Sequence, residues 1–172
     1  MPKHRYTITL HRCKFTEEFF ALSKKYEAAV HGRPDIKPDF TQSFTCDNPI
    51  YDPANERDAS VPCYPEMIGI DTHRDFKDEG VFPGLGAYHM YHRIDGILVA
   101  VGIIDITSSV LNSAYFIYDP DYKFLNLGVV GALMEMQYMN MLREKHLLPN
   151  LRYYHLGELS MKCPKVNYKL NY

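Results

Sequence analysis

The chain reads as an α+β (mixed α/β) protein, on three observations. Two strand-like runs at about 86–94 and 97–106 flank Asp95-Gly96, and a third, "NSAYFIYD", follows the turn-prone "TSSVLN". Asp-Gly between two such runs is a strong hairpin signal, so an antiparallel meander is predicted. A long apolar pattern with helical spacing occupies about 126–145, and "LRYYHLGEL" after it reads as a strand. That strand–helix–strand unit places the last strand parallel to the third through a right-handed crossover.

The elements follow in order. "YTITLH", Tyr6–His11, alternates and reads as a strand. A helix comes next, with Thr16 as N-cap and Glu17 and Glu18 in the first turn, where the dipole favours anions. Phe15, Phe19, Leu22, Tyr26 and Ala29 form its apolar stripe, and His31-Gly32 stops it. Prolines and acids break every period between 33 and 84; no long regular element is expected there. "SFTCDNPIY" reads as a short extended piece ending in a turn at Asn48-Pro49, and a loop insertion is expected at about 50–83. In the later helix Leu127, Val130, Met134, Tyr138 and Met141 mark one stripe, and Pro149 ends the element. Residues 1–172 are read as a single domain carrying that insertion.

Apolar residues make up 46% and charged residues 23% of the chain, as in ordinary soluble domains. No apolar run reaches the roughly 18 residues of a membrane span, and the N-terminus lacks a signal-peptide core. A cytoplasmic or nuclear location, no membrane partner and a monomeric chain are expected. The four cysteines fit no zinc spacing, so they are read as reduced thiols and no metal site is expected. Net charge is −2 but uneven. Lys3, Arg5, Arg12 and Lys14 crowd one end, and Lys162, Lys165 and Lys169 the other, while 47–80 is acidic. Two basic termini brought together would suit a polyanion.

The junction 115–131 carries the most chemistry. Asn126 as N-cap would leave the amides of Leu127, Gly128 and Val129 facing an anion, with room given by Gly128. Asp119 and Asp121 stand at the mouth of the same strand and could orient or deprotonate an amine; the plain alternative is a turn that Asp121 caps. His89 and His92 are three apart on one strand, so they face opposite ways and do not share a metal. Asp105, in "VGIIDI", is expected either near the surface at the strand end or held by hydrogen bonds inside, with stabilising the next turn as its simpler role. The tail "MKCPKVNYKLNY" mixes basic and aromatic residues, as nucleic-acid contacts do.

"VAVGIIDI", "NSAYFIYDPDYKFLNLGVVGALMEM", "YHLGEL" and "CPKVNYK", in this order, resemble the C-terminal domain of arginyl-tRNA–protein transferases. "FFALSKKYEAAVHG", "FTCDNP" and "GLGAYHMYHRIDG" resemble earlier parts of that domain. The resemblance implies an acetyltransferase-like (GNAT) fold and the transfer of arginine from arginyl-tRNA to the α-amine of proteins beginning with Asp, Glu or oxidised Cys. It implies arginyl-tRNA as co-substrate, no further cofactor, and protein partners with acidic N-termini. Tyr118, Asp119, Pro120 and Asp121 match the family's YDPD, and Asn126, Leu127 and Gly128 its SLG. His89 matches the histidine of its HxxY, with His92 at the tyrosine position, and Pro164, Lys165, Tyr168 and Lys169 match PKxxYK. The implied catalytic residues are Asp119, Asp121 and His89. The implied substrate and tRNA contacts are Tyr115, Tyr118, Asn126, Leu127, Gly128, Lys165, Tyr168 and Lys169.

Two alternatives stand beside this reading. One is an acyl-coenzyme A-dependent N-acetyltransferase on the same fold, which would need a phosphate-cradling glycine pattern that "FLNLGVVGA" spaces differently. The other is a catalytically incomplete module that binds tRNA or acidic N-termini. It rests on the absence from these residues of the family's cysteine-rich region and last segment.

Overall fold

The computed structural model describes residues 4–46, 70–71, 85–145, 147–157 and 169. Most of the expected 50–83 insertion, the Asn48-Pro49 turn and the tail with Lys165 and Tyr168 lie outside those residues. The six strands described are β1 (Tyr6–Arg12), β2 (Ile70–Asp71), β3 (Gly86–Ile94), β4 (Ile97–Ile106), β5 (Val110–Tyr118) and β6 (Tyr153–His155). They form one sheet in the order β2-β1-β3-β4-β5-β6. Every neighbouring pair is antiparallel except β5 and β6, which run parallel from Val110↔Tyr153 to Asn112↔His155. The meander and the parallel last strand therefore match the sequence expectation, as does the turn: Asp95 and Gly96 both have positive φ, at 50° and 85°.

Helix α1 (Glu17–Tyr26) begins as predicted, with the Phe19 amide donating to Thr16 Oγ1 at 3.1 Å. Its second half differs. Residues Glu27–His31 form a π-helical turn that ends at Gly32, where φ is 67°. Glu27, four residues after the buried Ser23, continues the inward face of α1 and is 5% exposed. A π turn inserts one residue, and Ala29, within it, faces outward.

A second helix, α2 (Pro38–Thr45), occupies sequence where prolines and acids break every period and whose last three residues open the piece expected to be extended. Its signal is the four-residue spacing of Phe40 with Phe44 and of Thr41 with Thr45, behind Pro38 at the first turn. The Phe rings stack at 5.5 Å, and Thr45 Oγ1 donates to the Thr41 carbonyl at 2.6 Å.

Helix α3 (Leu127–Glu144) packs on the opposite face from α1. Tyr138, Met139, Met141 and Leu142 join Ile8, Leu10, Tyr88, Met90, Ile104 and Leu111 in one core cluster. Phe19 and Leu22 of α1 join Tyr91, Val101, Ile103 and Ile117 in another. The buried stripe of α3 is rotated from the predicted one: Gly131 and Glu135 lie at its centre, and Val130 and Met134 are only half-buried. Gly131 explains the rotation. A Cβ there would overlap the ring of Phe116, which His92 already holds edge-on at 5.3 Å.

Gly131→Ala should therefore destabilise the protein. The helix-propensity gain of about 1 kcal/mol is outweighed by overpacking of roughly 1–3 kcal/mol against a ring with no room to retreat. A urea midpoint equal to or above that of the parent would show that α3 does not approach β5 this closely.

Candidate functional site

The junction after β5 is built from the backbone outward. The Asp119 amide donates to the Val99 carbonyl at 2.8 Å, extending the sheet by one bond. Asp119 then caps the 3-10 turn Pro120–Leu125, its Oδ1 accepting from the Asp121 amide at 2.9 Å. The capping residue is thus Asp119, whereas Asp121 was the residue expected to cap. Asn126 closes the turn in the left-handed region, φ 51° and ψ 45°, which Asn tolerates better than most residues.

Asn126 differs from expectation in one respect. It precedes α3 in the N-cap position, but its side chain makes no capping bond. Its carbonyl instead accepts from the amides of Val129, at 2.9 Å, and Val130, at 3.2 Å. Of the three amides expected to face an anion, Val129 is therefore bonded back. A Cβ on Gly128 would meet nothing within 4 Å, so the helix start is open at that point.

The decisive group was not legible near the motif. Lys25, in the last turn of α1, places its Nζ 2.6 Å from Asp119 Oδ1 and 2.5 Å from Asp121 Oδ2. The two carboxylates converge on one ammonium, and these hydrogen bonds push the Lys25 pKa up. Asp119 Oδ2 and Asp121 Oδ1 have no hydrogen-bond partner among the described residues. Each carboxylate therefore keeps acceptor capacity for a second amine. Lys25 lies more than ninety residues away in sequence, where it reads only as a basic residue near a helix C-terminus.

The other predicted site residues are dispersed. Tyr118 packs edge-on against Tyr26 at 5.1 Å, close to the junction. Tyr115 lies further back along β5, half-exposed, with its ring 4.0 Å from that of Phe44. Leu127 is 4% exposed and packs with Val99 and Ala100, so its side chain faces the core and not a ligand. Lys169 is described; its Nζ approaches Gly157, just beyond β6.

His89 is not brought to the aspartates. It is fully buried, its Nε2 is 3.0 Å from the Thr45 carbonyl, and its ring packs on Phe19 at 4.9 Å. Burial pulls its pKa down to about 4. His92 faces the other way, as its spacing required, with Nδ1 2.5 Å from the Tyr6 hydroxyl. Burial takes it down to about 3. Both rings are neutral packing groups in the folded chain. Among the described residues no group of His, Cys, Asp and Glu could hold a metal ion. No helix there is long and apolar enough to cross a membrane.

Two further polar clusters lie at the β5–β6 side. Asp105 accepts from Asn112 Nδ2 at 2.9 Å, and Asn112 Oδ1 lies 2.6 Å from His155 Nδ1, a row crossing three strands. On the opposite face Glu135 is fully buried in the middle of α3. Its Oε2 accepts from the Tyr154 hydroxyl at 2.7 Å, and its Oε1 lies where a Cβ on Gly102 would come within 2.6 Å. Burial raises its pKa to about 7, outweighing the hydrogen bonds from Tyr154 and Ser113. A lone acid inside the apolar run "GVVGALMEM" was the available signal.

Comparison with known proteins adds the following. The family described as "Arginine-tRNA-protein transferase, C terminus" matches residues 18–172. The chain is 34% identical to arginyl-tRNA–protein transferase 1 of Drosophila melanogaster, over 97% of the chain and 31% of that protein. It is 28% identical to arginyl-tRNA–protein transferase 1 of Dictyostelium discoideum, over 99% of the chain and 36% of that protein. Over 49% of its length it is 34% identical to an aspartate/glutamate leucyltransferase of Campylobacter jejuni. The chain spans about a third of the length of these relatives.

Proposed function

The chain belongs to the arginine-tRNA-protein transferase family through its C-terminal region, and from this premise we propose that it transfers arginine from arginyl-tRNA to the α-amine of proteins beginning with Asp, Glu or oxidised Cys. We further infer an acetyltransferase-like fold, supported by the meander, the α3 crossover and the parallel pair β5 and β6.

One observation carries the site assignment: Asp119 and Asp121 converge on a primary ammonium, that of Lys25. A carboxylate pair arranged around one ammonium is complementary to a second, the substrate's. In the reaction the amine nitrogen attacks the ester carbonyl carbon of arginyl-tRNA. The bond from that carbon to the ribose oxygen breaks, the nitrogen loses a proton and the ribose hydroxyl gains one. No bond to the protein is needed, so the residues contribute by positioning and by holding the proton. Asp119 and Asp121 would orient the amine, and the open helix start at Gly128 would admit the ester end of the tRNA. Phe124, 76% exposed in the same turn, offers a face on which a terminal base can stack. His89, buried and bonded to Thr45, takes no part in this scheme.

The test is transfer of labelled arginine from arginyl-tRNA to a peptide beginning with Asp. Label in the peptide is expected. None, under conditions where the Drosophila relative transfers, would remove the activity from this chain.

A further inference from the structure

A cavity of about 190 Å³ opens between the π turn after α1, the end of α2 and β5, and its walls include Tyr26, Glu27, His31, Arg33, Phe44 and Tyr115. Glu27 is 5% exposed, and its Oε2 has no hydrogen-bond partner among the described residues. The nearest side-chain nitrogens stop short of bonding: Arg33 Nη1 is 3.6 Å from Oε2, and His31 Nε2 is 4.0 Å from Oε1. A buried carboxylate short of donors carries a desolvation penalty that a ligand's N–H groups would relieve. Glu27 also opens a π turn, a feature frequent at functional sites.

We propose that this cavity is where the first residue of the acceptor polypeptide docks before transfer, with its α-ammonium on Glu27 and an acidic side chain toward Arg33, and from which the amine passes to Asp119 and Asp121 for reaction. It rests on the reading of the previous subsection and adds the place where the acceptor is recognised. An ammonium brings three donors to the unpartnered oxygen. The walls include the aromatic rings of Tyr26, Phe44 and Tyr115, and the exposed side of such a ring attracts a cation. The Arg33 guanidinium, 59% exposed beside Glu27, is placed to pair with a carboxylate entering from outside. The cavity thus presents a negative group inside and a positive one at its edge, the inverse of a zwitterion. A guanidinium ligand would meet Arg33 and His31 around the same carboxylate, which disfavours it. Tyr26, in the cavity wall, packs against Tyr118, the residue before Asp119, so the cavity adjoins the Asp119–Asp121 junction.

The test is calorimetric titration of the whole chain with four probes: a short peptide beginning with Asp, its N-acetylated form, the same peptide beginning with Ala, and arginine amide. Acetylation should weaken binding by roughly tenfold or more, the scale of one charge-assisted hydrogen bond. Glu27→Gln should erase the difference between free and acetylated peptides. Arg33→Ala, at an exposed position that leaves folding intact, should erase the preference for Asp over Ala while keeping the dependence on a free amine. Binding indifferent to acetylation, or a preference for Asp that survives Arg33→Ala, overturns the proposal. Arginine amide bound in preference, and lost with Glu27→Gln, assigns the cavity to a guanidinium instead. None of these titrations uses tRNA. Transfer without this pattern overturns the cavity assignment alone, and the pattern without transfer overturns the activity alone.

Discussion

Asp119→Asn lowers arginine transfer by roughly two to four orders of magnitude, the range for losing a positioned proton-handling group, and it does so by more than Asp121→Asn. The two carboxylates share one ammonium but not one environment. The Asp119 side chain is 13% exposed, fixed by its own amide on Val99 and by the Asp121 amide on its Oδ1. That of Asp121 is 75% exposed and held only through Lys25 and the turn. A fixed acceptor positions an attacking amine better than a solvated one. Asparagine keeps the oxygen that caps the turn, and an exposed ion pair contributes at most about 1 kcal/mol, so stability should change little. Lys25→Met supplies the contrast. If the aspartates serve only to tether α1, removing Lys25 damages activity as much as Asp119→Asn does. If they hold the substrate amine, Lys25→Met keeps transfer within about tenfold, because the carboxylates remain. Equal losses in the two variants would end the assignment of the aspartates to the amine.

The parts of the fold that the sequence made legible are those whose signal is local. Strands β3 and β4 and the Asp95-Gly96 turn are specified by strand-length runs and by residues that accept positive φ. The parallel last strand follows from chain connectivity. Helix α2 was missed because it is short, lies among the prolines and acids that break every period from 33 to 84, and ends inside the piece read as extended. The face of α3 was displaced because periodicity counts large apolar residues, whereas Gly131 and Glu135 are the residues nearest the sheet. In α1 no pattern announced the π turn, and a count of apolar residues passes over Ser23 and Glu27, which share the buried face with Phe19.

The candidate site divides in the same way. Asp119 and Asp121 are visible as residue types at a strand end, and their association with Tyr118 is local. Their partner Lys25 comes from a helix at the other end of the chain and becomes visible only when α1 packs on the sheet. His89 illustrates the reverse error. A motif position suggested chemistry, but the strand register places the ring opposite His11 and Ile103, under α1 and α2, where water does not reach it.

Stability should rise as pH increases from about 4 to about 6.5 and then decline gently, because three buried groups pull in opposite directions. His89 and His92 have folded pKa values near 4 and 3, below the ordinary value of 6.5. Between those limits the unfolded chain binds protons that the folded chain refuses. Their contribution is complete above pH 6.5 and is lost as pH falls toward 4 and below. Glu135 works the other way. Its folded pKa, near 7, lies above the ordinary 4.5, so its contribution is complete below pH 4.5 and is lost as pH rises through 7. Two histidines outweigh one carboxyl between pH 4.5 and 6.5, so the net slope there is positive. Above 6.5 the carboxyl acts alone, and the slope turns negative. Each shift amounts to roughly several kcal/mol, enough for acid to unfold a domain of ordinary stability. Urea denaturation from pH 4 to 8 reads both arms. His92→Gln, which keeps an acceptor for the Tyr6 hydroxyl, should flatten the acid arm, and Glu135→Gln should remove the decline above 6.5 while leaving the acid arm in place. An acid arm unchanged by His92→Gln would mean that water reaches this ring in the folded chain. The packing of Phe116 between His92 and Gly131 would then be looser than the structure has it.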